Sequence, residues 1–149
     1  MGRVISIAIA KEQGGPQTFL KSVKAIAGFG LEGDRYAKNS NNEYGNSAAI
    51  TLIEKSSSLA CRERLGIELP PESFRRNLVV DDIDLNSLVG KDFRVGSTLC
   101  RGYELCHPCK HLSVFLNADL LEGLKMAGGL RAYIIQSGII RVGDEILIL

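Results

Sequence analysis

The sequence predicts a β-rich α+β fold: a curved, mostly antiparallel, barrel-like sheet with two or three helices. Strand-like stretches are short and numerous, helical patterns are few, and 16 glycines are spread along 149 residues. Glycine permits the positive φ angles that bulges and corners of a strongly curved sheet require. Strands and helices do not alternate regularly, as they would in a doubly wound parallel sheet.

The predicted strands are rich in β-branched and other apolar residues and are bounded by turn-forming residues. In chain order they are VISIAIA (4–10), TFLKSVKAIA (18–27), AAITLI (48–53), NLVV (77–80), DFRV (92–95), TLCRGYEL (98–105), LRAYIIQSGIIRV (130–142) and EILIL (145–149). The second of these approximates the apolar–polar alternation of a half-buried strand. Turns such as Gly14-Gly15-Pro16 and Gly143-Asp144 separate the strands.

Two segments have the features of helices, and a third suggests a single turn. Residues 54–65 follow a strand and stop at Gly66, a residue type that commonly ends a helix. Asn117 can cap a helix that runs through Met126, where Gly128-Gly129 follows. Residues 84–88 are predicted to form one short turn.

Composition indicates one globular domain over residues 1–149, with 45% hydrophobic residues. Eighteen basic and 17 acidic residues give a net charge of +1 without a basic stripe, so no nucleic-acid partner is expected. No apolar run approaches the roughly 20 residues of a membrane span. No secretory leader opens the chain, so we expect a cytoplasmic protein with reduced thiols and no membrane partner.

The stretch ELCHPCKHL (104–112) concentrates the reactive side chains, because it holds two of the four cysteines and both histidines. A structural zinc site needs four ligands, usually as two pairs. Cys106, Cys109 and His111 supply three from one loop, so no structural zinc is expected. The Cys-x-Pro-Cys form of residues 106–109 is also that of disulfide oxidoreductases, but their βαβ framework is missing here.

A single activated thiolate is the third interpretation of this stretch. Lys110, His107 and His111 surround Cys109 with hydrogen-bond donors and positive charge, which lowers the pKa of a thiol. Pro108 restricts the backbone directly before Cys109. Inert surface cysteines are the fourth interpretation, and the stretch alone does not decide among the four. Cys61 and Cys100 lie among apolar neighbours and are expected in the core.

Five segments in register resemble one known family, the MOSC domain, named for its occurrence at the C-terminus of molybdenum cofactor sulfurases. They are GLEGDRYA (30–37), AAITLIEKSSSLA (48–60), FRRNLVV (74–80), DLNSLVGKDFRVGSTLCRGYELCHPC (84–109) and GGLRAYIIQSGIIRVGDEI (128–146). The resemblance covers nearly the whole chain, as in a small standalone member. It implies a β-barrel fold and a role with the molybdenum cofactor, a phosphorylated pterin dithiolene that holds molybdenum.

The resemblance also implies site residues. The family's single cysteine falls on Cys109, as a sulfur carrier or a molybdenum ligand, and the Arg-x-Asn pattern of cofactor-binding members falls on Arg75 and Asn77. A guanidinium can bind a phosphate bidentately, and an amide can read a pterin edge. Lys110 is expected to stabilise the anionic sulfur. Many members have histidine after Gly-Asp-Arg, where this chain has Tyr36, so a role of that imidazole does not transfer.

The spacing of residues 75–77 makes a geometric prediction. Residues that begin a strand alternate in direction, so Arg75 and Asn77 should share a face while Arg76 points away.

Three functions follow from the resemblance. The first is a sulfur carrier, in which Cys109 takes a persulfide sulfur from a separate pyridoxal-phosphate-dependent cysteine desulfurase. The second is a molybdenum-dependent reductase of N-hydroxylated compounds, with Cys109 on the metal. The third is a noncatalytic module that delivers the cofactor to an acceptor enzyme. No segment resembles the clasping additions of cofactor-retaining reductases, so transient cofactor handling is at least as plausible as stable binding.

Overall fold

The computed structural model describes residues 2–66, 68–106 and 127–149, which form a closed β-barrel with a small second sheet. The strands are β1 (Gly2–Ala10), β2 (Gln17–Leu20), β3 (Ser22–Ile26), β4 (Gly30–Leu31), β5 (Ile50–Glu54), β6 (Leu78–Asp81), β7 (Asp92–Val95), β8 (Thr98–Leu105), β9 (Leu130–Gln136), β10 (Gly138–Arg141) and β11 (Glu145–Ile148). The helix α1 (Ser57–Leu65) and two 3₁₀ turns (Pro71–Phe74 and Leu85–Leu88) are the helical elements of these ranges.

Seven strands close the barrel in the order β11-β7-β8-β9-β5-β6-β1, because β1 pairs with both β6 and β11. Strands β5 and β6 are parallel, and the other neighbours around the barrel are antiparallel. Strand β2 extends the sheet from β1, while β10, β3 and β4 form the second sheet. The prediction of a curved, mostly antiparallel barrel is therefore confirmed.

Alternation along the strands fills the barrel interior. In β9, Leu130, Ala132 and Ile134 are buried in the main core, while Arg131 and Tyr133 between them are only partly buried. Successive side chains of a strand point to opposite faces, so one face of β9 supplies core and the other faces outward. Each large apolar side chain buried in this way stabilises the fold by about 1.5–3 kcal/mol.

Helix α1 covers part of the outer surface of the barrel. A second apolar cluster of Ile53, Cys61, Phe74 and Val79 lies beneath it, with Leu65 packed against it. The helix ends at Gly66 with φ 71°, as predicted. It starts at Ser57 rather than at residue 54, because β5 runs to residue 54 and the next amide continues the pairing with β6.

Two predicted strands are each divided between the two sheets. Residues 18–27 become β2 and β3, and residues 130–142 become β9 and β10. Strands β3 and β10 pair with each other, so the two corners turn together. At one corner the Ser137 hydroxyl accepts a hydrogen bond from the Ala27 amide at 2.8 Å. The two-residue strand β4 was not predicted.

The short turn predicted over residues 84–88 is confirmed as the 3₁₀ turn Leu85–Leu88, where the Asp84 carboxylate accepts from the Asn86 amide at 3.2 Å. The helix predicted between Asn117 and Met126 lies outside the described residues. Among the described helices, none has the length and apolar character needed to cross a membrane.

Candidate functional site

Arg75 and Asn77, the predicted site residues that the structure describes, lie where four barrel strands begin or end side by side. The register aligns Leu78 of β6 with Ile7 of β1 and Leu52 of β5, and aligns Leu130 of β9 with Leu52 and with Leu105 of β8. The C-terminal ends of β1 and β8 and the N-terminal ends of β6 and β9 therefore meet at one end of the barrel. We call this the arginine end, because Arg35, Arg75 and Arg76 lie there.

Arg75 lies before β6 rather than within it. The 3₁₀ turn Pro71–Phe74 precedes it, and Arg75 has a left-handed backbone with φ 63° and ψ 29°. Its guanidinium Nη2 donates to the Gly15 carbonyl at 2.6 Å, in the turn between β1 and β2. The strand alternation assumed from the sequence begins only at Leu78, so the turn, and not a strand, sets the direction of Arg75.

Arg35 is a second arginine at this end, and the sequence analysis did not select it. The Asp34 carboxylate accepts hydrogen bonds from the backbone amides of Ala10 at 3.1 Å and Tyr36 at 3.3 Å, which fixes the chain at the end of β1. Arg35 pairs with this carboxylate at 3.4 Å and lies over the Tyr36 ring at 4.4 Å. Its Nη2 donates to the Arg75 carbonyl at 3.5 Å, so the two arginines are neighbours.

The arginine end has an excess of positive charge. Burial and the nearby Arg35 guanidinium both lower the pKa of Arg75. Asp34 pairs with Arg35, while Arg75 forms no ion pair within the described residues. The Arg35 side chain is only 9% exposed, and its buried Nε has no hydrogen-bond partner in the part of the chain that the structure describes. Two close guanidinium groups, one carboxylate and an unsatisfied donor form an environment that suits an anion.

Asn77 is 3% exposed and joins three strands through its side chain. Its Oδ1 accepts from the Thr51 amide at 3.0 Å and from the Thr51 hydroxyl at 3.1 Å. Its Nδ2 donates to the Ala8 carbonyl at 3.1 Å. The amide therefore bridges β5 and β1 across the start of β6. These contacts favour a positioning role, and direct reading of a pterin by Asn77 stays a prediction.

Arg76 extends to the opposite side of β6 from Arg75. Its Nε donates to the Gly128 carbonyl at 3.0 Å, while its Nη2 is buried without a hydrogen-bond partner. The Ser57 hydroxyl donates to the Ala127 carbonyl at 2.7 Å, and the Cys106 amide donates to the Gly129 carbonyl at 2.8 Å. These three contacts hold the residues directly before β9.

Gly129 is required at this position by space and by conformation. It has φ +104°, and a Cβ there would overlap the Leu52 carbonyl oxygen. A side chain at this residue would therefore displace β5 from β9.

The cysteines divide into described and undescribed positions. Cys61, Cys100 and Cys106 are buried free thiols, and burial raises the pKa of Cys100 to about 12. Cys106 is 3% exposed at the end of β8. Cys109, Lys110, His107 and His111 lie outside the described residues. Within residues 2–66, 68–106 and 127–149, no group of three or more His, Cys, Asp or Glu side chains could hold a metal ion.

A sequence signal for Arg35 was present in the Gly33-Asp34-Arg35 run, where an acid lies directly before an arginine. That run contributed only to the family resemblance. The missing information was tertiary, because Arg35 and Arg75 lie 40 positions apart in the sequence and become neighbours only in the folded chain.

Comparison with known proteins gives one family and several solved structures. The MOSC domain family matches residues 39–147. The YuaD protein from Bacillus subtilis superposes with a TM-score of 0.80 at 16% identity, over 99% of this chain and 96% of that chain. YiiM from Geobacillus stearothermophilus superposes with a TM-score of 0.75 at 16% identity, over 100% of this chain and 75% of that chain. YiiM from Escherichia coli superposes with a TM-score of 0.68 at 19% identity, over 99% of this chain and 69% of that chain.

At these identities the solved structures establish the shared fold, and the family match supports a molybdenum-cofactor-related module. No curated protein sequence matches the chain.

Proposed function

Because this chain belongs to the MOSC domain family, we propose that it is a molybdenum-cofactor-associated sulfur carrier whose single reactive cysteine is Cys109. The neighbouring positive charges of Arg35 and Arg75 at the arginine end are the observation that supports the link to the cofactor. The segment that bears Cys109 begins directly after Cys106, which is hydrogen-bonded to Gly129 at this same end. The two arginines and Cys106, the last described residue before Cys109, therefore lie at the same end of the barrel.

The arginine end fits the terminal phosphate of the cofactor. Arg75 carries no carboxylate partner within the described residues, and the buried Nε of Arg35 has no acceptor. A phosphate beside Arg35 and Arg75 would offset the repulsion between the two guanidinium groups. When bound, the cofactor supplies a molybdenum centre with redox and sulfur-accepting chemistry. Arg75 and Arg35 would hold the phosphate, and Asn77 would support them by fixing β6 against β1 and β5.

The sulfur step is a thiolate–persulfide exchange. The Cys109 thiolate attacks the outer sulfur of a persulfide on a pyridoxal-phosphate-dependent cysteine desulfurase. The new S–S bond forms on Cys109, the donor's S–S bond breaks, and the donor cysteine leaves as a thiolate. Lys110 and His107 stabilise the negative charge on the accepted sulfur. A reducing cytoplasm would keep Cys109 available between cycles.

Intact mass after incubation with a cysteine desulfurase and cysteine tests the carrier. Under non-reducing conditions the protein should gain the mass of one sulfur atom, and a reductant should remove it. Cys109→Ser should abolish the gain, because the accepting thiolate is lost. Cys106→Ser should retain a measurable gain, because Cys106 is buried at the end of β8.

The Cys106→Ser and Cys109→Ser pair also separates the other interpretations of the cysteine stretch. Equal and complete loss in both variants would favour a dithiol or a metal site, since each of those needs both residues. A full mass gain without Cys109 would remove the basis of the proposal.

The reductase of N-hydroxylated compounds is the second candidate, because a phosphate site at the arginine end would also serve stable binding of the cofactor. Protein purified from a host that makes the cofactor should then contain bound pterin. Turnover of a hydroxylamine with an electron donor would distinguish this reductase from a cofactor-delivery module, which binds pterin without turnover.

A further inference from the structure

A groove of about 500 Å³ lies beside α1, and its lining does not include Arg35, Arg75 or Arg76. Its lining residues are Lys55, Ser58, Leu59, Arg62, Glu68, Leu69, Pro70 and Pro71. Helix α1 forms one wall, and the segment that leads into the 3₁₀ turn Pro71–Phe74 forms the other. This volume is in the range of small-molecule sites, which are typically 300–1,000 Å³.

The walls of the groove are mainly apolar. Leu59 is 51% exposed although it lies in the middle of α1, and it faces a wall that includes Leu69, Pro70 and Pro71. Leu65 instead packs against the cluster beneath the helix, and Leu69 contacts both that cluster and the groove. Leu59 therefore offers apolar surface to an occupant of the groove, where burial would remove it from water.

The charge of the groove is positive at one side. Lys55 forms no ion pair within the described residues, whereas Arg62 pairs with Glu68 at 3.4 Å. Lys55 is thus the charge of this lining that no carboxylate balances. An occupant that carries one negative group would complement it.

Ser58 adds an independent sign of an occupant. It lines the groove, and its hydroxyl oxygen is buried without a hydrogen-bond partner among the described residues. A buried hydroxyl without a partner costs free energy in the folded protein, and such groups in native structures call for an explanation. Rotation of the Ser58 side chain toward the groove would let the carboxylate of an occupant provide the acceptor that this hydroxyl lacks.

We propose that the groove binds a small amphipathic carboxylate. Its apolar body packs between Leu59 and the prolines, and its carboxylate binds Lys55 and accepts from Ser58. The charge complementarity favours this occupant over a neutral or cationic one. The inference is independent of the proposed sulfur carrier, since none of these residues belongs to the arginine end.

Titration of the ¹⁵N-labelled full chain with octanoate, 1-octanol and octylammonium tests the proposal. All three probes share the apolar body and are used below the concentrations at which they aggregate. Octanoate should bind most tightly and shift the amide signals of α1 and of Glu68 and Leu69. Equal or tighter binding of octylammonium, or shifts confined to other surfaces, would overturn the proposal.

Matched variants assign the roles. Lys55→Met should weaken octanoate binding about three- to fivefold, as loss of an exposed ion pair does, and should leave 1-octanol binding unchanged. Lys24→Met removes a comparable exposed lysine on β3 and should have no effect. Leu59→Ser should weaken both probes, whereas Leu147→Ser on β11 should weaken neither. An equal effect of the two lysine variants would contradict the assigned charge contact.

Ser58→Ala separates a ligand contact from a structural role. The variant should be at least as stable as the parent, because the hydroxyl has no partner to lose, and it should bind octanoate more weakly. Loss of stability with unchanged octanoate affinity would contradict its role.

Sedimentation equilibrium examines the remaining occupant, a second copy of the chain. A dimer that Leu59→Ser dissociates, together with no octanoate binding, would overturn the proposal.

Discussion

Two arginines of this barrel, Arg101 and Arg75, have opposite surroundings. Arg101 on β8 meets the Asp92 carboxylate on β7 through two contacts, Nε to Oδ1 at 2.6 Å and Nη2 to Oδ2 at 3.1 Å, and lies over the Tyr44 ring at 4.4 Å. Arg75 donates to one backbone carbonyl and has Arg35 as its charged neighbour. The first guanidinium is neutralised, and the second is not.

The pKa shifts of the two arginines follow this difference. Hydrogen bonding to Asp92 raises the pKa of Arg101, whereas burial and Arg35 lower the pKa of Arg75. A neutralised guanidinium in bidentate contact has little left to offer a ligand. A guanidinium held close to another positive charge gains from an added anion. The comparison therefore indicates which arginines of a cationic chain are structural and which are available for binding.

The largest expected effect is on cofactor affinity. Arg75→Ala should weaken binding of the isolated molybdenum cofactor roughly ten- to a hundredfold, because loss of a charged hydrogen bond to phosphate costs on the order of 1.5–3 kcal/mol. Arg101→Ala should leave affinity unchanged. Fluorescence of the oxidised pterin, retained after rapid gel filtration, measures both variants.

Arg76→Ala is the closer control for this experiment, because Arg76 adjoins Arg75 but contacts Gly128 on the other side of β6. If Arg76→Ala weakens cofactor binding as much as Arg75→Ala does, the assignment of Arg75 is wrong.

The next largest expected effect is on the free energy of unfolding, through the buried hydrogen bonds of Asn77 near Arg75. Asn77→Ala should lower the free energy of unfolding by about 2 kcal/mol, since buried partners at Thr51 and Ala8 lose their hydrogen bonds. Asn39→Ala, at an exposed position, should change it by less than about 0.5 kcal/mol. Urea denaturation measures both. Unchanged stability combined with lost cofactor affinity would instead favour direct contact between the Asn77 amide and the ligand.

The smallest expected effect is the pH dependence of the free energy of unfolding that comes from the ion pair between Arg101 and Asp92. The hydrogen bond from Arg101 lowers the pKa of Asp92 in the folded protein. A lowered folded-state pKa contributes stability above the unfolded-state value, about 3.9, which is lost as the pH falls through the folded-state pKa. Asp92→Asn should therefore be less stable than the parent at pH 7, and the difference should shrink below about pH 4.

Urea titrations at pH 7 and pH 3 measure this change, and it should be small because the pair is partly exposed. A difference between the parent and Asp92→Asn that grows as the pH falls would contradict the ion pair.

The position of most strands could be predicted from the sequence, because alternation and turn residues are local. Strands β7 and β8 match the predicted residues 92–95 and 98–105, and α1 ends at Gly66 as expected. The corners at Lys21 and Ser137 were missed. Apolar residues follow each corner, so each predicted strand runs on without a visible break in the sequence. Only the pairing of β3 with β10 shows where the chain leaves the barrel.

The sequence by itself determined the β-rich barrel class, the family resemblance and the selection of Arg75 and Asn77, since these depend on residue order and spacing. Tertiary structure decided how the two residues differ. A 3₁₀ turn with a left-handed residue directs Arg75 toward Gly15, and neighbouring strands occupy the Asn77 amide. It also brought Arg35 beside Arg75 across 40 residues of chain. Such contacts arise from the closure of the barrel, which sets residues distant in sequence side by side and which no local pattern encodes.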